Sequence, residues 1–256
     1  MNSSPHLTIV MPLYNCELYV AEAIDSVIAQ TYTNWDLIIV DDCSTDRSAE
    51  IVKEYECKVE NIRLVSCAAN GGAANARNVG LDYVTGQFLA FFDADDVWLP
   101  TKLEQQIAFM RSLPSYMCFT SYETIESNGE HRNYVHVPVC LGYKEFLKNT
   151  VTCSHTIMFN LDKVKIDWLK VTTGGRDYDF PEDMDAWCSV LKHDVVSNGL
   201  DEVLAKNRKH GKSRSSNKLR AVQRTWNQYR KNEDMSVVSS FYCLSWQLFH
   251  AVLKRI

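Results

Sequence analysis

The chain contains no Cys-x-x-Cys pair, no uninterrupted apolar run of about 18 residues, and no Gly-x-Gly-x-x-Gly after its first apolar segment. Each absence removes a class of function. Nine cysteines are present (Cys16, Cys43, Cys57, Cys67, Cys118, Cys140, Cys153, Cys188, Cys243) but scattered and odd in number. Without paired spacing they do not read as a zinc site or a redox couple; they fit reduced thiols in a cytosolic compartment. Lack of a long apolar run argues against a membrane span. Lack of the glycine fingerprint argues against hydride transfer to a dinucleotide. The N-terminus has no basic segment leading into an apolar stretch, so a secretory signal is not expected and the protein is placed in the cytoplasm. Basic residues are also short: 27 Lys and Arg stand against 32 Asp and Glu, a net charge of −5. A nucleic-acid partner needs a basic face and is therefore not expected. Internal repeats and low-complexity tracts are missing too.

What is present is a globular composition, 46% hydrophobic and 23% charged, in a length that suits one sizeable core with a short appendage. The first hundred residues alternate between two periods. Apolar runs at Leu7–Met11 (ended by Pro12), Trp35–Val40, Ile62–Val65 and Phe88–Phe92 read as buried strands. Between them, Val20–Ala29, Ser48–Tyr55 after a Ser44-Thr45-Asp46 cap, and Ala73–Tyr83 have helical spacing. Such alternation builds an α/β fold with a mostly parallel sheet flanked by helices. Beyond Leu99-Pro100, a helix at Lys102–Met110, strands at Met117–Thr124, His131–Val137 and Val151–Asn160, and a helix at Pro181–Leu191 are expected. A basic, Ser-rich loop at Lys206–Lys218 then leads into a helical tail.

Ligands of open α/β sheets bind beyond the carboxyl ends of the strands. Here those ends carry Pro12-Leu13-Tyr14-Asn15, Asp41-Asp42-Cys43-Ser44-Thr45-Asp46, Asn70-Gly71-Gly72 and Asp93-Ala94-Asp95-Asp96. Any one alone is as readily a turn with a helix cap; four in consecutive units favour a shared site. The acidic set is the sharpest signal. Acids two apart on extended backbone point to opposite sides, so one can face a ribose and the other a cation. Carboxylate oxygens suit Mg²⁺ or Mn²⁺ bridging the phosphates of a donor.

These segments, Thr8 to Asn15, Ile39 to Asp46, Asn70-Gly71-Gly72 through Ala76-Arg77-Asn78, and Asp93 to Asp96, resemble the successive signatures of the family 2 glycosyltransferases, inverting enzymes with the GT-A fold. The likeness is dense over residues 6 to 110 and thinner to about residue 215. It implies a metal-dependent enzyme that moves a hexose, glucose or galactose, from a UDP-sugar to a saccharide acceptor with a β-linkage. For bacterial members of this length it implies surface-polysaccharide or O-antigen synthesis on an undecaprenyl-diphosphate-linked acceptor at the inner face of the membrane. Carried onto this sequence, Pro12, Tyr14 and Asp42 line the nucleobase pocket, and Asn70, Gly72 and Arg77 complete the base and ribose site. Asp93 binds the ribose, Ala94 belongs to the nucleotide-sugar site, and Asp95 coordinates the metal. In Pro181-Glu182-Asp183-Met184, Asp183 matches the general base, the carboxylate that takes the acceptor proton during inverting attack. The bland alternative is that Glu182 and Asp183 only favour a helix N-terminus. Arg77 has its own alternative, an exposed helix cation. Asn207 to Ser215 resembles the Arg-x-His-x-x-Ser-x-Ser loop, which makes His210 a late ligand of metal or diphosphate. Arg208 and Arg214 then stand at the diphosphate, with Lys212 either there or simply solvated. The remaining histidines lack metal-ligand spacing; His155 is the one considered for reach to the acceptor.

Residues 1–215 are expected to form the GT-A domain, split at about 112 into a nucleotide-sugar half and an acceptor half, with 216–256 as a helical extension. From Val237 to Ile256, apolar residues recur at Val238, Phe241, Tyr242, Leu248, Phe249, Val252, Leu253 and Ile256. That stripe packs on its own domain or a second copy as a homodimer, or lies on a membrane surface beside Lys254 and Arg255. Two rival functions remain in view. A nucleotidyltransferase would carry a Gly-rich basic loop after the first strand, which this chain lacks. A non-catalytic binding module would lack the metal acid and the base, which this chain has in Asp95 and Asp183.

Overall fold

The computed structural model describes residues 4–171, 180–193, 195, 197–210 and 218–253. The four expected apolar runs are strands β1 (Leu7–Leu13), β2 (Trp35–Asp41), β3 (Ile62–Ser66) and β4 (Phe88–Phe91), all parallel, in the order β3-β2-β1-β4. Leu7 pairs Trp35 on one side and Phe88 on the other, which puts β1 at the centre. Strands β1, β2 and β4 are buried almost throughout, so their near-continuous apolar runs are what a covered parallel sheet requires, while β3 at the edge keeps Arg63 and Ser66 exposed. Helix α1 (Val20–Ile28) buries Val20, Ala23, Ile24 and Val27, one stripe at helical spacing. Helix α2 (Ser48–Glu56) starts where Asp46 Oδ1 accepts from the Ser48 N–H at 2.9 Å. Helix α3 (Ala73–Leu81) lies so close on β1 that a Cβ on Gly80 would sit 2.3 Å from Val10 Cγ1.

Pro12 does not end β1. It remains in the strand opposite Val40. The Val10 carbonyl accepts from Phe92, so by alternation the nitrogen of Pro12 faces the β4 side, and its missing N–H stops only that ladder. There β1 and β4 part, and the acidic loop begins.

Past β5 (Val97–Trp98) and α4 (Lys102–Ser112), the sheet continues without a break. Strand β6 (Met117–Glu126) is flanked by the short β7 (His131–Val135); β8 (Cys140–Leu141) and α5 (Tyr143–Phe146) follow. The expected strand at 151–160 is mostly absent. Thr156 closes a turn onto the Cys153 carbonyl through both N–H (2.9 Å) and hydroxyl (2.8 Å), and only β9 (Met158–Asn160) is extended. Hydroxyl competition for backbone acceptors favours such turns. After α6 (Glu182–Leu191) comes β10 (Ser197–Lys209), a strand of 13 residues whose C-terminal part replaces the start of the expected basic loop. Among the described residues the main path of the sheet is β3-β2-β1-β4-β9-β6-β10-β5, with β7 paired to β6 and β8 to β10. Because β9 is antiparallel to both β4 and β6, and β10 is parallel to β6, the carboxyl ends of β1, β2, β4, β6 and β10 share one edge.

The tail forms α7 (Lys218–Asn227), a π-helical turn (Gln228–Asn232) and α8 (Val237–Leu253). The described part of the α8 stripe stays exposed instead of packing into its own domain. Ser240 and Cys243 are the buried positions, and Gln247 fastens the helix by donating to the Leu147 carbonyl at 3.2 Å and accepting from Thr150 at 2.7 Å. Val238, Phe241, Tyr242, Leu248, Phe249 and Val252 stay exposed, Phe241 by 67%. No helix among the described residues is long and apolar enough to cross a membrane.

Candidate active site

Two loops at the shared edge are laced together before any ligand chemistry begins. Asn15, at the left-handed φ of 48° that asparagine tolerates, donates from its N–H to Ser44 Oγ (3.1 Å) and accepts from the Thr45 N–H (2.7 Å). This fixes the end of β1 against the end of β2. Tyr14 beside it is 45% exposed, so one aromatic face is free to stack, while Pro12 is half-buried behind it.

Asp42 is placed differently from the expectation. It is 1% exposed, and its two oxygens accept from the N–H groups of Gly71 (2.8 Å) and Gly72 (2.7 Å). Asn70 Nδ2 donates to the Asp42 carbonyl at 2.7 Å. In this conformation Asp42 therefore holds the 70–72 turn rather than presenting an open carboxylate. Gly72, at φ 85°, has the conformation that lets the turn deliver its N–H and then start α3.

Arg77 is not an exposed helix cation. Its guanidinium, 12% exposed, bonds Asp93 at 2.8 Å. Its positive charge is supported next by Glu182 and Asp183. Asp183 lies in the first turn of α6, where its Oδ1 accepts from the Met184 N–H at 2.8 Å. Burial, and then the neighbouring Glu182 charge, push its pKa up; Arg77 opposes and Asp93 adds to the rise. Ala74, Arg77, Phe91, Val171, Glu182 and Asp183 line a small cavity of about 10 Å³, room for a single water.

Asp95 and His210 meet although 115 residues separate them: Oδ2 and Nε2 are 2.8 Å apart. Burial, then Asp96, then Asp93 raise the Asp95 pKa to about 6, with His210 opposing. Asp93 thus acts on both Asp95 and Asp183, and the three acids share one electrostatic field. The His210 ring stacks on Tyr19, centroids 5.7 Å apart.

Arg208 and Asp96 form the floor. Arg208 is 3% exposed; it donates through Nε to the Asp95 carbonyl (2.9 Å), through Nη1 to the Ser127 carbonyl (3.3 Å) and through Nη2 to Glu22 (2.6 Å). The direct diphosphate contact expected of it is not available in this arrangement, because the guanidinium is anchored under the acidic loop. Asp96 accepts from the Arg208 N–H at 2.7 Å and lies 2.6 Å from His155 Nδ1. His155 is fully buried, so it cannot reach an acceptor. Ala94 is buried too, and its carbonyl accepts from the Cys16 thiol at 3.3 Å. Arg214 and Lys212 lie outside the described residues.

A divalent cation fits Asp95 and His210. Both are partly exposed, they supply oxygen and imidazole nitrogen, and burial followed by the Asp96 and Asp93 charges raises the Asp95 pKa, so a cation there would favour the ionised carboxylate. A second cluster exists among the described residues: ligand atoms of Asp93, Asp96 and His155 lie within 4.8 Å of one another. There Asp96 already accepts from the Arg208 N–H, and both Asp96 and His155 are closed to solvent, which marks that cluster as part of the floor.

Comparison with known proteins shows the family and the fold. The description "Glycosyl transferase family 2" matches residues 8–165. TuaG of Bacillus subtilis (strain 168), whose name assigns it provisionally to teichuronic acid biosynthesis, is 34% identical over 257 residues, covering 100% of this chain and 99% of that protein. WfgD of Escherichia coli, named UDP-Glc:alpha-D-GlcNAc-diphosphoundecaprenol beta-1,3-glucosyltransferase, is 34% identical over 225 residues, 86% of this chain and 83% of that one. Among solved structures, residues 1–349 of S. aureus TarS in complex with UDP-GlcNAc superpose with a TM-score of 0.72 at 21% identity, covering 93% of this chain and 70% of that chain. At that identity the likeness shows the fold, an α/β GT-A fold.

Proposed function

The chain belongs to glycosyl transferase family 2, and from that premise we propose that it moves a hexose from a UDP-sugar to a saccharide acceptor with inversion. The acceptor hydroxyl attacks the anomeric carbon from the face opposite UDP. As the new C–O bond forms, the bond to the diphosphate breaks, UDP departs, and an α-linked donor gives a β-linked product. Asp183 takes the hydroxyl proton; a carboxylate held ionised only with difficulty is a competent base once the acceptor is close.

In this reading Tyr14 stacks on the nucleobase, with Pro12 behind it and the Asn70–Gly72 turn, backed by Asp42, as its edge. Arg77 holds Asp93 toward the ribose, with Ala94 beside it in the acidic loop of the nucleotide-sugar site. Asp95 and His210 hold Mn²⁺ or Mg²⁺, which when bound supplies positive charge to the leaving diphosphate. Arg208 acts on the diphosphate through the acidic loop that it anchors, and Arg214 is the remaining candidate for direct contact. The carrying observation is the 2.8 Å meeting of Asp95 and His210, which joins the donor strands to the end of β10 at one edge.

WfgD uses, by its name, UDP-Glc and a GlcNAc-diphosphoundecaprenol acceptor. That supports glucose as the sugar and a lipid-diphosphate-linked saccharide as the acceptor, in cell-surface polysaccharide synthesis at the inner face of the cytoplasmic membrane. The exposed α8 face supports the same location. Residues 216–256 hold seven of the chain's 27 basic residues and two of its 32 acidic ones, a balance suited to anionic lipid. The division at residues 112 and 215 stays the working domain scheme, with one sheet running through both halves.

A donor screen tests the reading. UDP-, GDP- and dTDP-sugars are offered with a synthetic α-GlcNAc diphosphoryl lipid, in Mn²⁺ or in EDTA, and diphosphate release is followed. UDP-glucose turnover that EDTA abolishes is expected. Turnover only with GDP-sugars overturns the nucleobase assignment, and full turnover in EDTA overturns the role of Asp95. For α8, the double change Phe241→Ser and Phe249→Ser is expected to abolish co-sedimentation with anionic liposomes. Unchanged sedimentation, or loss of a dimer instead, refutes the membrane reading.

A further inference from the structure

The first turn of α6 is gripped from the far end of the chain. Arg224 on α7 holds Glu182 through Nη2 at 2.9 Å, and the same nitrogen donates to the Phe180 carbonyl. Both charged side chains are mostly buried, 14% and 12% exposed, so water screens the pair only weakly. The hold continues along the helix. Gln228 and Asn232, in the π-helical turn, each donate to Asp185 Oδ1 at 3.0 Å, and Glu233 pairs with Lys192 at 2.9 Å. Asp183 lies between the two gripped acids. Facing it are Glu182 on its own helix, Arg77 of α3, and Asp93 after β4.

We propose that Arg224 is a positioning residue for the transfer reaction, cancelling the charge of Glu182 and fixing the first turn of α6 so that Asp183 stays ionised and aimed at the acceptor. This rests on the reading of Asp183 as the base. It makes residues 218–233 part of the catalytic body, although the sequence presents them as an appendage. The physical reason is local. Glu182 is the strongest charge working against ionised Asp183, and with Arg77 already paired to Asp93, Arg224 is placed to offset it.

The test is the pH profile of kcat for transfer from UDP-glucose to the synthetic α-GlcNAc diphosphoryl lipid. In Arg224→Met the Glu182 charge, no longer paired with Arg224, raises the acid limb by about one pH unit, so that kcat falls by about tenfold at pH values below the limb and is unchanged on the plateau above it. KM for UDP-glucose and the affinity for UDP stay within about twofold. Glu182→Gln alone moves the limb down, and the double variant Arg224→Met, Glu182→Gln returns it close to wild type, which loss of packing would not do. Arg224→Lys keeps most of the activity. Should Arg224→Met fail to fold, Glu182→Gln still decides, because its downward shift needs no change at Arg224. A wild-type limb in Arg224→Met, or no rescue in the double variant, overturns the proposal. The underlying reading fails separately: Asp183→Asn with wild-type turnover removes the base, whereas an inactive Asp183→Asn beside a normal Arg224→Met removes only the role of Arg224.

Discussion

Asp183→Asn separates charge from shape at the centre of the site. Asparagine has nearly the same volume, and its Oδ1 still accepts from the Met184 N–H now held at 2.8 Å. What disappears is the charge. General-base assistance contributes about 100- to 10,000-fold, so kcat should fall by that factor, about 2.7–5.4 kcal/mol of transition-state stabilisation. Stability should move the other way. Burial and Glu182 raise the folded-state pKa above the ordinary value of 3.8, so the ionised form is disfavoured in the folded state relative to the unfolded one. For an acid raised in this way the penalty is absent below the unfolded pKa. It grows as pH rises from the unfolded pKa to the folded one and is fully present above the folded one. The amide never bears that penalty, so the variant should melt at or above the wild-type temperature at neutral pH. Single-turnover transfer from UDP-glucose, UDP calorimetry and a thermal melt together check this. Wild-type-like turnover would refute the assignment of the base, and a melting temperature several degrees lower would refute the electrostatic reasoning.

Tyr14→Ala removes a stacking face worth about 1–3 kcal/mol, so calorimetry should show UDP binding about 5- to 150-fold weaker, and an unchanged Kd excludes the stacking role. His210→Ala leaves Asp95 without its 2.8 Å partner, and Mn²⁺ titrated in the presence of UDP should bind at least about 10-fold more weakly. Equal Mn²⁺ affinity would move the metal away from this pair. Gly80→Ala drives a methyl to within 2.3 Å of Val10 and 3.3 Å of Val40. The overpacking should cost about 1–3 kcal/mol, seen as a lower Tm with kcat preserved below the transition.

The donor half was legible because local signals and tertiary outcome coincide there. Leu7 to Leu13 is wholly apolar apart from Thr8, a run that only a strand covered on both faces can satisfy, and the polar residues after it have nowhere to go but the sheet edge. The second half lacked that agreement. Strand β10 reads Ser-Asn-Gly-Leu-Asp-Glu at its start, poor strand chemistry, and its register shifts between Leu200 and Ala205. It is a strand because β6, some eighty residues earlier, offers it a ladder, which no local window contains. The turn at Ser154–Thr156 was hidden for a related reason, its apolar flanks reading as strand while the Thr156 hydroxyl closed onto the backbone.

Buried charge accounts for what remained out of reach within the site itself. Single-residue expectations send Arg, Asp and Lys to the surface, yet Arg208 and Asp96 form the floor of the cleft. Lys102 lies fully buried over the Trp98 ring, bonded to Gln106 at 2.7 Å, with burial pulling its pKa down to about 7. Such residues acquire their roles only when distant elements bring a partner: β10 brings Arg208 under the Asp95 carbonyl, α1 brings Glu22 to Arg208, and α7 brings Arg224 to Glu182. In the proposed reaction most groups that meet the donor sit at strand ends, where sequence pattern fixes position, while Asp183 sits in the first turn of α6. Arg208 and Arg224 hold them from later in the chain, where no local pattern marks them. Accordingly, a variant series confined to the readable signatures would find the groups that act, and would miss Arg208 and Arg224, whose loss should disturb the same reaction from beneath.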